Sequence, residues 1–133
     1  MLPTNKRLTK KRDFTKLGTQ GRSVYGPFAT LRVRSVTQSE PKVAFITSTK
    51  MFKRAVDRNR IKRRLREVVR LLWNDIPKNT QLIFIAKPEA KDADYQLIVT
   101  DVKHMLEKIP EALLKPAKPS PRARKIAEKK AKS

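Results

Sequence analysis

The sequence predicts an α+β domain: a layer of helices on a small mixed sheet, in the order α-β-β-α-β-α, with a basic tail behind it. Three observations predict it. From Pro27 to Val36 the chain alternates, with Ala29, Leu31 and Val33 on one side and Phe28, Thr30, Arg32 and Arg34 on the other, the period of a strand. Residues 80–86, Thr-Gln-Leu-Ile-Phe-Ile-Ala, form an unbroken apolar run, which suits a central strand covered on both faces. Between these two, residues 50–72 change to helical spacing, with Ile61, Leu65, Val68, Val69 and Leu72 on one stripe.

Taken in order, Leu8 and Thr9 open a short first helix that Thr9 is expected to cap. Phe14 and Leu17, three apart, give that helix an apolar side, and Gly18 and Gly21 stop it. Phe14 has two readings here, a core anchor or a platform on which a base stacks beside a basic surface. After the alternating strand, the turn-prone Thr37–Pro41 leads to Lys42–Ser48, rich in Val43, Phe45 and Ile46. Two strands joined by five residues read as an antiparallel hairpin. The face bearing Arg32 and Arg34 is too polar for a buried sheet and is expected to look at solvent or ligand.

The basic helix is expected to end near Asn74, with Pro77 as the stop and Trp73 packed under its end. Following the central strand, a loop with Pro88 leads to a last helix that Asp92 or Asp94 caps. Its apolar stripe is Tyr95, Ile98, Val102, Met105, Leu106 and Ile109, as far as Pro110. His104, the sole histidine, lies opposite Tyr95 on that wheel and belongs to the polar side. Residues 1–114 thus read as one domain with one modest core. Residues 115–133 carry three prolines and eight basic residues against one acid, the composition of a disordered tail.

Charge says more about partners than about fold. The chain has 33 Lys and Arg against 12 acids, a formal net of +21, and the excess is concentrated. Residues 1–16 carry +5, residues 50–70 carry +8 and residues 115–133 carry +7, leaving +1 for the rest. Such concentration implies a polyanion. Nucleic acid fits better than a membrane, because no stretch has the length of a spanning helix and the basic helix lacks an aromatic face for lipid. With no cysteine, disulfides, thiolate zinc sites and thiol nucleophiles are excluded. Met1 to Lys11 has no apolar segment of the secretory kind, so a cytoplasmic setting is expected. The acids are scattered and no Gly-rich phosphate loop is present, so the chain on its own reads as a binder.

On the basic helix, Asn59, Arg63, Arg66 and Arg70 line the side opposite the apolar stripe, with Lys62 at the border. A solvated helix face usually mixes signs, whereas here Glu67 alone is placed to pair along the helix, with Arg63 or Arg60. Guanidinium groups in a row match phosphate oxygens and stay charged at any cellular pH. The candidate RNA-binding set is Lys50, Lys53, Arg54, Arg58, Asn59, Arg60, Lys62, Arg63, Arg66 and Arg70.

The segment from Lys53 to Glu67, with Ala55, then Arg58-Asn59-Arg60, then Lys62-Arg63 and Arg66 on one helix, resembles the signature of the protein subunit of bacterial ribonuclease P. The resemblance spans roughly residues 6–109 and includes an early Phe (Phe14), a Gly (Gly21) and the turn Ala86-Lys87-Pro88. It implies a sandwich of sheet and helices like the second domain of ribosomal protein S5, with a left-handed β-α-β crossover around the basic helix. By the same resemblance the catalyst is an RNA using Mg²⁺, with no metal held by protein residues and no catalytic residue in this chain. The partners it implies are ribonuclease P RNA, held by the signature helix, and precursor tRNA, whose 5′ leader lies in a cleft between the first helix and the sheet. Phe14, Phe28, Arg32 and Arg34 are the expected cleft residues. Gly18 stands where many members carry a second aromatic, and Thr49 where one of a Lys pair usually stands.

A second reading, from a different class, is a structural ribosomal or general RNA-binding protein using the same helix. A helix-turn-helix DNA binder fits worse, since a strand-flanked helix rich in arginine offers phosphate contacts rather than base readers.

Overall fold

The computed structural model describes residues 7–8, 10–37, 40–50 and 52–114. The chain runs α1 (Lys11–Gln20), β1 (Arg22–Tyr25), β2 (Ala29–Ser35), β3 (Lys42–Ile46), α2 (Ala55–Leu71), β4 (Thr80–Ala86), α3 (Tyr95–Glu107) and α4 (Ile109–Leu114). Single 3-10 turns at Trp73–Asp75 and Pro88–Ala90 flank β4. The four strands form one sheet in the order β1-β2-β4-β3, so the α+β class holds.

The expected hairpin between residues 27–36 and 42–48 does not form. β4 inserts between β2 and β3, pairing antiparallel with β2 and parallel with β3. The reason lies in burial: six of the seven β4 residues are buried, and only a central position shields both faces of such a strand. By contrast β3 has five residues and leaves Ile46 exposed, which an edge tolerates. The two parallel strands are then joined through α2, a β-α-β crossover. Residues 7–8 run along the outer side of β3, where Arg7 pairs with Val43 and the Leu8 N–H donates to the Val43 carbonyl at 3.0 Å.

Each face of the sheet has its own core. The larger one joins Leu31, Val33, Leu82 and Phe84 of the sheet to Ile61, Leu65, Val68 and Val69 of α2 and to Ile98, Val102, Met105 and Leu106 of α3. Both predicted helix stripes are therefore buried against the same sheet face. Across the sheet, Leu8, Leu17, Ala44 and Ile83 make a much smaller cluster under α1, with Phe14 and Ile85 at its border.

Local differences from the sequence reading have simple causes. Lys10 occupies the N-cap position of α1, and Thr9, the expected cap, lies outside the described residues. Gly18 sits inside α1 rather than ending it; Gly21 is the C-cap. Asp94 occupies the N-cap position of α3, yet its side chain makes no capping hydrogen bond. Pro110 does not end the helical region but stands second in α4, in the first turn where a missing N–H costs nothing. Asn79 takes φ 62°, a left-handed conformation that Asn tolerates, just before β4. The tail at residues 115–133 lies outside the described residues. No helix among the described residues is long and apolar enough to cross a membrane.

Candidate nucleic-acid interface

Helix α2 carries the candidate ridge. Ile61, Leu65, Val68 and Val69 are at most 2% exposed, so the helix cannot roll about its axis without exposing its core stripe. That locks the polar side outward. Lys53, Arg54, Asn59, Arg60, Arg63 and Arg70 are exposed, while Lys62 and Arg66 are half-buried at the flanks. Arg60, Lys62, Arg63 and Arg66 make no side-chain hydrogen bond or ion pair among the described residues, which leaves four cations within two turns uncompensated.

Other members of the set have internal roles. The Arg58 Nη1 donates to the carbonyls of Phe52 (2.7 Å) and Lys53 (3.2 Å), tying the approach segment to the first turn and fixing where Lys53 and Arg54 stand. Arg70 donates to Glu67 at 3.0 Å, so Glu67 pairs toward the helix C-terminus rather than back to Arg63 or Arg60. Asp57 meets Lys91 at 3.4 Å, and Arg64 donates to the Ala93 carbonyl at 2.8 Å; together they pin the loop before α3 to α2. Lys50 stands exposed in the loop ahead of the helix.

The opposite side of the sheet differs from the expectation. Its polar face is not open along its whole length, because α1 covers part of it. Arg32 is 5% exposed and its guanidinium donates to Leu17 O (3.2 Å from Nε, 2.6 Å from Nη2), Gly18 O (3.1 Å) and Ser23 Oγ (2.8 Å). Burial lowers its pKa from the ordinary arginine value, an effect the nearby Tyr25 counters. Arg34 donates to Gln81 Oε1 at 2.8 Å and pairs with Asp13 at 3.4 Å, both partners' side chains being 12% exposed in that ion pair. Neither arginine looks freely at solvent or ligand, as the alternation led one to expect. Phe28 precedes β2 instead of joining its alternation, and its ring packs against the larger core.

Among the described residues, what remains open on that face is one row. The strand register aligns Tyr25, Thr30, Ile85 and Ile46 across all four strands, so their side chains share the α1 side of the sheet. Tyr25 is 69% and Ile46 38% exposed, and Thr30 and Ile85 are half-buried. Phe14, also half-buried, packs against the same small cluster as Ile85, so an aromatic of α1 and one member of the row share a common apolar patch. Sequence reasoning missed this row because β1 is four residues long, too short for its period to register. The pairing of residues distant in sequence is not visible without the fold.

The turn after Tyr25 is held from below. Asp101 of α3 accepts the Phe28 N–H at 3.1 Å, and Lys87 Nζ donates to the Gly26 carbonyl at 2.6 Å. A Cβ at Gly26 would collide with the Asp101 carboxylate, which explains the glycine. Burial raises the Asp101 pKa, while the Phe28 N–H and the charges of Lys87, His104 and Lys108 pull it back. His104 is exposed, as its place on the helix predicts. No group of three or more His, Cys, Asp or Glu among the described residues could hold a metal ion.

Comparison with known proteins gives one consistent answer. The Ribonuclease P family profile matches residues 2–110. A ribonuclease P protein component from Gluconacetobacter diazotrophicus is 34% identical over 103 residues, covering 77% of this chain and 89% of its own. The RNase P protein from Staphylococcus aureus superposes with a TM-score of 0.69 at 28% identity, covering 81% of this chain and 97% of that one. The RNase P protein from Thermotoga maritima shares the fold with a TM-score of 0.71 at 22% identity, over 77% of this chain and 96% of that one.

Proposed function

The chain belongs to the ribonuclease P protein family, a protein component of the ribonucleoprotein endoribonuclease that processes tRNA 5′ ends, and from that premise we propose how its two surfaces divide the work. The α2 ridge binds the catalytic RNA. Arg60, Lys62, Arg63 and Arg66 meet its phosphates, with Lys50, Lys53, Arg54 and Asn59 extending the footprint and Arg58 and Arg70 shaping it. The observation that carries this is a row of cations with no partner among the described residues, on a helix whose rotation is locked by its core. Such a row repels itself unless an anion is present, and phosphate is the anion its geometry fits.

The groove beside α1 receives the 5′ leader of precursor tRNA. Phe14 offers one wall and the row Tyr25, Thr30, Ile85 and Ile46 the floor, a mixture of aromatic and apolar surface on which unpaired bases stack. Arg32 and Arg34 support the groove from its side, by holding α1 on the sheet, rather than touching the leader. The Mg²⁺ of the reaction belongs to the RNA subunit on this reading, and the protein contributes binding and orientation. Residues 1–114 act as the folded unit, 115–133 as a basic extension, and the setting is the bacterial cytoplasm.

Reconstitution with ribonuclease P RNA and a precursor tRNA at low Mg²⁺ tests the reading. Stimulated cleavage is expected; binding with no gain in cleavage would favour the general RNA-binding alternative.

A further inference from the structure

Helix α1 is held on the sheet by an unusual balance of forces. Among the described residues, only Leu8, Leu17, Ala44 and Ile83 are buried in its cluster, with Phe14 and Ile85 half-buried against it, so apolar packing defines its position weakly. Directional polar contacts must do the rest, and they come from alternate residues of β2. Arg34 meets Asp13, and Arg32 meets the carbonyls of Leu17 and Gly18. Two residues of strand advance about 6.6 Å and four of helix about 6 Å, so one turn of α1 lies in register with one repeat of β2.

Phe14 sits between these two clamps, next to Asp13 and one turn before Leu17. The Arg32 clamp is the stronger, because it satisfies carbonyls at the C-terminal end of the helix with a buried cation. Its geometry also explains Gly21. The Gly21 N–H shares the Leu17 carbonyl at 3.1 Å, and a Cβ there would collide with that oxygen and crowd Arg32 Nη2 at 3.2 Å. Ser23, on β1, takes the remaining Nη1 at 2.8 Å, so the guanidinium links α1, β1 and β2 at one point.

We infer that Arg32 is a positioning residue for the groove: its guanidinium sets where α1, and with it Phe14, stands against the Tyr25–Ile46 row. The inference rests on the groove reading above. Lysine at this position keeps the charge but has no planar fork to span Leu17 O, Gly18 O and Ser23 Oγ together.

The test uses holoenzyme assembled from the full chain and the catalytic RNA, with equilibrium binding of precursor tRNA bearing a leader and of mature tRNA. Arg32→Lys is expected to weaken binding of the leader-bearing RNA about fivefold and to leave mature tRNA within about twofold. In a Phe14→Ala background that additional loss should vanish, since the two residues act through one contact. No loss, equal losses for both RNAs, or full additivity with Phe14→Ala would overturn the inference. If Arg32→Lys does not fold at the assay temperature, Ser23→Ala decides by the same three criteria, with an expected loss of about threefold. Should Phe14→Ala itself spare the leader-bearing RNA, the groove reading fails and this inference with it. Should Phe14→Ala weaken binding while Arg32→Lys does not, the groove stands and the role of Arg32 is refuted.

Discussion

Arginines at α2 and at β2 look alike in the sequence and do opposite things in the fold. Arg63 and Arg66 project from a helix whose far side is buried, and they have no partner among the described residues. Arg32 and Arg34 project from the part of a strand face that α1 covers, Arg32 donating to two carbonyls and a hydroxyl and Arg34 to an amide and a carboxylate. The lesson is that cationic side chains are left available to an outside partner only where nothing else in the chain reaches them. On α2 the core takes one side and solvent the other. On β2 a second, smaller layer arrives and converts two arginines into struts.

The strongest way to break this contrast is to attack the side of α2 that the ridge depends on. Leu65→Ala, at a site 1% exposed, is expected to destabilise the domain by about 2–5 kcal/mol in urea denaturation. A smaller loss would mean the stripe does not hold the helix in its orientation. Next comes the ridge itself. The double change Arg63→Glu and Arg66→Glu should lower affinity for the catalytic RNA by roughly a hundredfold, about 2.7 kcal/mol, with unchanged circular dichroism and melting temperature. The wild-type affinity should fall steeply with salt. About six engaged phosphates give a log–log slope near −5 on duplex-like RNA and near −4 on single strands. A flat salt response would remove the phosphate reading.

Phe14→Ala sharpens the other half of the comparison. A loss of about tenfold, 1.4 kcal/mol, is expected for leader-bearing tRNA in the holoenzyme, with mature tRNA almost unaffected. Because the ring is half-buried, thermal unfolding should show less than the roughly 3–5 kcal/mol cost of emptying a full core site. Equal losses on both RNAs would make Phe14 structural. The smallest effect belongs to the tail. Deleting residues 115–133 removes a net +7 and should slow association with RNA several-fold at low salt, the difference fading as salt rises. Stopped-flow association at two ionic strengths reads it directly.

The sequence by itself determined what depends on short-range periodicity and on composition. The stripe of α2, the apolar run of β4 and the stripe of α3 were legible because each is a local pattern with one burial solution. The Arg58-Asn59-Arg60 signature and the cations that follow it gave the family for the same reason, being contiguous on one helix. The tertiary structure alone decided which strands pair. A five-residue link between two strands argues for a hairpin, yet the gain from burying β4 on both faces outweighs that local preference and parts β2 from β3. It alone placed Tyr25, Thr30, Ile85 and Ile46, drawn from four strands, in one row. And it alone turned Arg32 inward, since whether a polar strand face meets water or a helix depends on where a separate, weakly packed element docks, which no local pattern encodes.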